Sequence, residues 1–160
     1  MVIQEDDVLE VVASYLESAN FLILVHGGNQ SGLLNYNIGN KFRKSPDIVA
    51  FRNPYVLIFE GKVRAGELFK TRYGISDYEA IKYIIEFDET KNEILKKVRL
   101  ILLNLGLDYG QTVSVYSGLI ASTSFDKYIS IIDDKCLVLR VDMKNKVVHK
   151  IIDKDNILIY

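Results

Sequence analysis

The chain has 160 residues, 49% of them hydrophobic and 26% charged, and a formal net charge of −1. That length suits one domain with an ordinary buried core, and the balance excludes a disordered segment, a polybasic arm and an acidic linker. A single cysteine, Cys136, excludes an internal disulfide framework and a four-cysteine zinc site.

The first residues are acidic, whereas a signal peptide opens basic and then turns apolar. No apolar run approaches the roughly 20 residues of a membrane span. The expectation is a cytoplasmic, intracellular protein without a membrane partner, organised as one domain over 1–160.

In chain order, Val8, Val12, Tyr15, Leu16 and Ala19 recur at helical spacing and predict a helix over 7–18. Asn20 breaks it, and the apolar run 21–25 reads as a strand. Residues 27–40 concentrate Gly27, Gly28, Gly32, Gly39, Asn29, Asn35, Asn37 and Asn40, which predicts a long loop. Strands follow at 47–51 and 56–60, joined by the turn-like Arg52-Asn53-Pro54-Tyr55. After a mixed stretch, 63–75, Ser76-Asp77-Tyr78-Glu79 is a capping box that opens a helix to about Phe87. Thr90-Lys91-Asn92-Glu93 repeats the pattern, and Gly106 is placed to end that second helix. The last third is strand-rich, with candidates at Thr112–Ser122, Tyr128–Ile132, Cys136–Val141 and Val147–Ile152. This order predicts a mixed α/β domain.

Charge is uneven along the chain. Residues 1–40 hold five acids and no Lys or Arg, whereas 41–72 hold eight basic residues against three acids, a local +5. Such a segment can meet a phosphate backbone although the whole chain is near neutral. A solvated loop surface is the plainer alternative.

The hairpin at 47–62 carries the sharpest signal. With an even loop at 52–55, residue 51 faces 56, 49 faces 58 and Asp47 faces Glu60, with Cβ atoms about 4.5–5.5 Å apart. Lys62 lies two residues beyond Glu60 and so points to the same face. Like carboxylates directly opposite each other are destabilising, and a divalent cation between them removes the repulsion. Oxygen ligands with room for water suit Mg²⁺, which can activate water and neutralise charge on a scissile phosphate. Lys62 would orient that water or stabilise developing charge.

Pro46-Asp47, an apolar strand, a turn, a second apolar strand and Glu60-Gly61-Lys62 together resemble the signature of the PD-(D/E)XK nucleases. This is the restriction-endonuclease-like superfamily, which includes archaeal Holliday-junction resolvases, restriction enzymes and DNA-repair nucleases. The resemblance implies an αβββαβ core over about 5–118, with a mixed central sheet flanked by helices, and leaves about 119–160 as a C-terminal β extension. It implies that Asp47 and Glu60 hold Mg²⁺, with Mn²⁺ able to substitute, together with the main-chain carbonyl of Gly61, and that Lys62 works on the attacking water. Many members add an acid from the first helix; Glu10 is the first choice here and Glu5 the second, since only helix register separates them. Tyr78 and Lys82 are candidates on the helix after the motif.

The activity so implied is a DNA endonuclease that leaves a 5′-phosphate and acts as a homodimer where both strands are cut. Lys41, Arg43, Lys44, Arg64, Lys70 and Arg72 would contact DNA phosphates. So small a domain would select junctions, flaps or ends rather than a long sequence. The alternative from another class is a catalytically inactive nuclease-fold module that binds nucleic acid or a protein partner.

Acid-x-Lys is a cheap pattern and recurs at Glu89–Lys91, Asp133–Lys135 and Asp142–Lys144. Asp142, which ends a strand and has Asp126 at a distance that could pair with it, is the main rival. The Gly27–Gly39 loop lacks the Gly-Lys-Ser/Thr ending of a phosphate-binding loop. His26 and His149 read as structural, and Cys136 as a small core hydrophobe. Of ten tyrosines, Tyr36, Tyr55 and Tyr73 fall in or beside the basic segment and are candidates to stack on unpaired bases.

Overall fold

Helix α1 spans Glu5–Ser18. It starts two residues before its apolar spacing indicates, because Asp7 accepts the Gln4 N–H at 3.0 Å and three acids occupy the first turn, where the helix dipole favours them. The computed structural model describes residues 2–27, 34–107 and 113–159. Gly28, Asn29 and Gly32 of the expected loop, Thr112 of the expected strand, and Tyr109 and Tyr160 lie outside the described residues.

The strands are β1 (Leu22–His26), β2 (Tyr36–Ile38), β3 (Phe42–Lys44), β4 (Ile48–Arg52), β5 (Tyr55–Gly61), β6 (Ser114–Ala121), β7 (Leu137–Asp142) and β8 (Val147–Ile152). Helices α2 (Asp77–Glu86) and α3 (Asp88–Asn104) separate β5 from β6. Six strands form one mixed sheet in the order β1-β4-β5-β6-β7-β8. The β5–β6 and β6–β7 pairs are parallel and the rest antiparallel. The fold is thus the expected mixed α/β arrangement, a central mixed sheet flanked by helices. Strands β7 and β8 extend that same sheet.

Both faces of β4 and β5 are covered, which is why they read as continuous apolar runs. Ile48, Ala50, Leu57 and Phe59 pack with Val8, Leu9, Val12 and Leu16 of α1. Val49, Phe51, Val56 and Ile58 pack on the other side, with Ile81 and Ile84 of α2 and Val98 of α3. The two-residue alternation therefore assigns Asp47, Glu60 and Lys62 to the α2 face.

Three expectations change. Residues 36–44 are a hairpin: Tyr36 pairs with Lys44 and Ile38 with Phe42, around Gly39 at φ 61°. Gly and Asn content masked the alternation that buries Tyr36 and Ile38. Residues 128–132 form no strand; Ile129–Ile131 is a 3-10 turn, with the Tyr128 and Ile129 N–H groups both donating to the Phe125 carbonyl. The Tyr128 ring stacks on Phe69 at 4.4 Å, a tertiary contact that overrides local β propensity. The mixed stretch after β5 contains a second 3-10 helix, Ala65–Phe69. The Gly106 stop does occur, at φ 73°, with the Leu107 N–H donating back to the Leu102 carbonyl. Among the described residues no helix is long and apolar enough to cross a membrane.

Gly118 on β6 fixes the fit of β7. A Cβ there would stand 2.5 Å from the Leu137 carbonyl oxygen and 2.7 Å from the Phe59 ring. Gly118→Ala should therefore cost about 1–3 kcal/mol, read as a lower urea midpoint with unchanged slope. An unchanged midpoint would mean that the sheet opens at no cost.

Candidate active site

The β4–β5 ladder runs Phe51 to Val56, Val49 to Ile58 and Ile48 to Phe59, the register expected from an even turn. The Asp47 N–H continues it, donating to the Phe59 carbonyl at 3.0 Å. Asp47 and Glu60 thus meet just past the last rung. They are 7% and 3% exposed. The Asp47 carboxylate accepts the Gly61 N–H at 2.8 Å, and its charge acts directly on Glu60. The buried Tyr36 hydroxyl, brought in by β2, donates to Glu60 Oε1 at 3.3 Å.

Burial, and then the Asp47 charge, push Glu60 well above the ordinary glutamate range. Burial also raises Asp47, against the pull of the Gly61 N–H. The pair therefore tends to keep a proton, with Asp47 ionising first. Burial works to lower Lys62, but Asp77, Glu5 and Asp47 outweigh it and hold the ammonium protonated. Lys62 is accordingly a donor and electrostatic partner at neutral pH, not a base.

Two acids fix that ammonium. Lys62 Nζ lies 3.2 Å from Glu5 Oε2 and 3.8 Å from Asp77 Oδ2. Asp77 opens α2 just after the Ser76 cap, whose hydroxyl accepts the Glu79 N–H at 3.0 Å. Its other oxygen takes Lys44 Nζ at 2.6 Å, so Asp77 spans the lysines of β3 and of the strand end. Gly61 lets α1 approach: a Cβ there would stand 2.7 Å from Leu9 Cδ2. That close contact brings Glu5 within reach of Lys62.

The first-helix acid at this site is Glu5. Glu10 instead lines a groove with Tyr15, Lys146 and Val148, beside β8. Their five-residue offset turns the side chains about 140° apart on the helix. Neither Tyr78 nor Lys82 joins the cluster. The Tyr78 hydroxyl donates to the Ile131 carbonyl and accepts the Asp133 N–H, while Lys82 pairs with Glu86. The rival Asp142 is a turn former, accepting the Lys144 and Asn145 N–H groups.

A groove of about 580 Å³ opens beside Lys62 and Asp77, lined by Lys41, Arg43, Lys44, Lys70 and Arg72. Arg64 is exposed and is not part of that lining. Lys70 and Arg72 both pair with Glu67, which tempers their field. Tyr36 is spent on Glu60, and Tyr55 packs edge-on against Tyr116 at 5.8 Å. The sequence pattern hid Asp77, and it offered Tyr36 for base stacking rather than as the partner of Glu60. Asp77 sat inside the recognised capping box, and the Gly- and Asn-rich stretch around Tyr36 hid its alternation with Ile38.

Hard oxygen donors are the chemistry present, and two carboxylates forced together fit one Mg²⁺ that completes its shell with water. Among the described residues no group of three or more His, Cys, Asp or Glu side chains forms a ready cage, so the fit rests on this pair of carboxylates.

The folded chain holds a proton on Glu60 that the unfolded chain releases near pH 4.5. Without metal, stability should therefore fall as pH rises from that value toward the raised folded one. Glu60→Gln removes this decline and should stabilise the protein at neutral pH by on the order of 1 kcal/mol. At pH below the ordinary glutamate range the two proteins should match. Thermal melts across pH check this; a variant less stable at neutral pH would contradict it.

No family model matches this chain, and no curated protein matches it. Among solved structures it is similar to a FdxN element excision controlling factor protein from Anabaena variabilis, at 15% identity and a TM-score of 0.41, covering 90% of this chain and 96% of that one. It is also similar to an XisH family protein from Nostoc punctiforme, at 17% identity and a TM-score of 0.39, covering 92% and 99%. Likeness this distant carries no argument about activity.

Proposed function

We propose that the chain is a metal-dependent endonuclease that hydrolyses DNA phosphodiester bonds, and that it works as a homodimer where both strands are cut. One observation carries the reading: two buried carboxyls, Asp47 and Glu60, which repel once both ionise, are set at one strand end with Lys62, a fixed ammonium that lines a basic groove. A plain hairpin gains nothing from that pairing.

Asp47, Glu60 and the Gly61 carbonyl would hold the Mg²⁺, with Mn²⁺ able to substitute. When bound, the ion supplies neutralisation of phosphate charge and a more acidic water. Lys62, held by Glu5 and Asp77, donates to the attacking water or to the charge that develops on phosphate. Tyr36 orients Glu60 from behind. Lys41, Arg43, Lys70 and Arg72 hold flanking phosphates, and Lys44 adds positive charge while buttressing Asp77. Junctions, flaps or ends are the substrates in view, since so small a domain offers little surface for reading a long sequence.

A second reading has its own support. Lys62 is already engaged by two carboxylates, as it would be in a nuclease-fold module that binds DNA without cutting it.

The test is incubation with plasmid, linear duplex, single-stranded and four-way-junction DNA, with Mg²⁺, Mn²⁺ or EDTA. Cleavage is expected with either metal and not with EDTA. Folded Asp47→Asn and Lys62→Ala variants should lose about 100-fold or more in rate. DNA binding without cleavage of any substrate would favour the second reading, and cleavage in EDTA would sink the metal-dependent one.

A further inference from the structure

Tyr73 stands at the mouth of the basic groove, and its ring packs on nothing among the described residues. It is 97% exposed, the most solvent-exposed of the large exposed hydrophobic side chains. It also occupies an unfavourable backbone position, with φ 54° at Tyr73 followed by φ 91° at Gly74. The Arg72 N–H donates to the Ile75 carbonyl at 2.9 Å, and the Ile75 N–H returns the bond at 3.2 Å. Two positive φ values inside such a ring are the signature of the mirror-image turns that favour Asn, Asp or Gly. A tyrosine there is disfavoured by the backbone and gains no burial in return.

The turn is firmly seated. A Cβ at Gly74 would stand 2.9 Å from the Phe42 ring of β3, so the turn packs flat on the hairpin that also carries Lys41, Arg43 and Lys44. The ring is held away from the protein surface while its neighbours on the groove are cationic. An aromatic face projecting between phosphate-binding side chains is the arrangement that grips unpaired nucleic acid, where bases stack on the ring and the backbone follows the charge. A base inside a duplex has both faces covered by its neighbours and offers such a ring no surface.

We propose that this groove takes an unpaired strand, with Tyr73 as the platform on which one base stacks while Lys41 and Arg43 meet adjacent phosphates. This deepens the nuclease reading by naming its substrate class, and it rests on that reading for what happens at Asp47 and Glu60. It narrows the substrates to those with a single-stranded part, flaps and frayed ends ahead of intact duplex.

The chain contains no tryptophan, so Tyr73→Trp introduces a single fluorescent reporter at the platform. An oligothymidylate of about ten nucleotides, within the span of known single-strand sites, is titrated in EDTA so that no cleavage intervenes. Quenching of the introduced indole is expected, and closed circular duplex should leave it unchanged. In parallel, Tyr73→Ala should weaken oligothymidylate binding roughly 10-fold and leave duplex binding alone, while Tyr73→Phe keeps the parent affinity. Absent quenching, or equal affinity of the Ala variant and parent for the oligonucleotide, would overturn the platform. The two readings fail separately. Quenching in a protein that never cleaves with Mn²⁺ keeps the platform and removes the nuclease; metal-dependent cleavage without quenching does the reverse.

Discussion

The burial of the Glu60 carboxyl against Asp47 is the constraint on which the rest of the structure turns. Taking one carboxylate out of water is costly, and placing a second beside it adds repulsion. The fold offsets this with a fixed set of partners. The Gly61 N–H binds Asp47, the Tyr36 hydroxyl binds Glu60, the Lys44 charge acts on both carboxyls and the Lys62 charge on Asp47. The leftover cost is carried as a retained proton. A cation bound at such a pair must displace that proton, so any metal affinity here would rise with pH.

The architecture around the pair follows from sheet geometry. Residue alternation sends Asp47, Glu60 and Lys62 to one face, and the register of β4 against β5 sets the first two opposite each other. That face is then roofed from two directions. The β2–β3 hairpin delivers Tyr36 and Lys44, and the start of α2 delivers Asp77. Asp77 ties the roof together, because its two oxygens reach Lys44 and Lys62. From the opposite face, α1 closes on Gly61 and sends Glu5 around the strand end. Every charge near the pair thus comes from a different element, so the site exists only in the complete fold.

Much of this was legible in the chain. An even turn with Pro54 fixed the 51–56 and 49–58 pairing, and parity did the rest. The mixed α/β class and most strands followed from apolar periodicity, and the Ser76 cap marked α2, whereas α3 begins at Asp88, before the expected Thr90 cap, and β7 and β8 join the central sheet rather than forming a separate extension. Other features were hidden for physical reasons. Glu5 and Glu10 both precede or sit within an amphipathic stretch, and only the three-dimensional approach of Leu9 to Gly61 decides which of them turns toward Lys62. Strands of three residues in a Gly- and Asn-rich stretch leave almost no period to read, so β2 and β3 looked like loop. Tyr128–Ile132 has the composition of a strand, yet the Phe69 ring captures Tyr128 and the chain turns instead. Asp77 was passed over for its neighbours Tyr78 and Lys82, because helix starts are rich in acids for reasons of capping alone.

The central claim is that Asp47 and Glu60 exchange their shared proton for a divalent cation. Calorimetric titration of Mn²⁺ at mildly acid pH, in two buffers of different ionisation heat, tests it most directly. The account predicts binding whose heat depends on the buffer, reporting proton release, with both binding and proton release lost in Glu60→Gln. Absence of binding, or binding that releases no proton and survives Glu60→Gln, would contradict it.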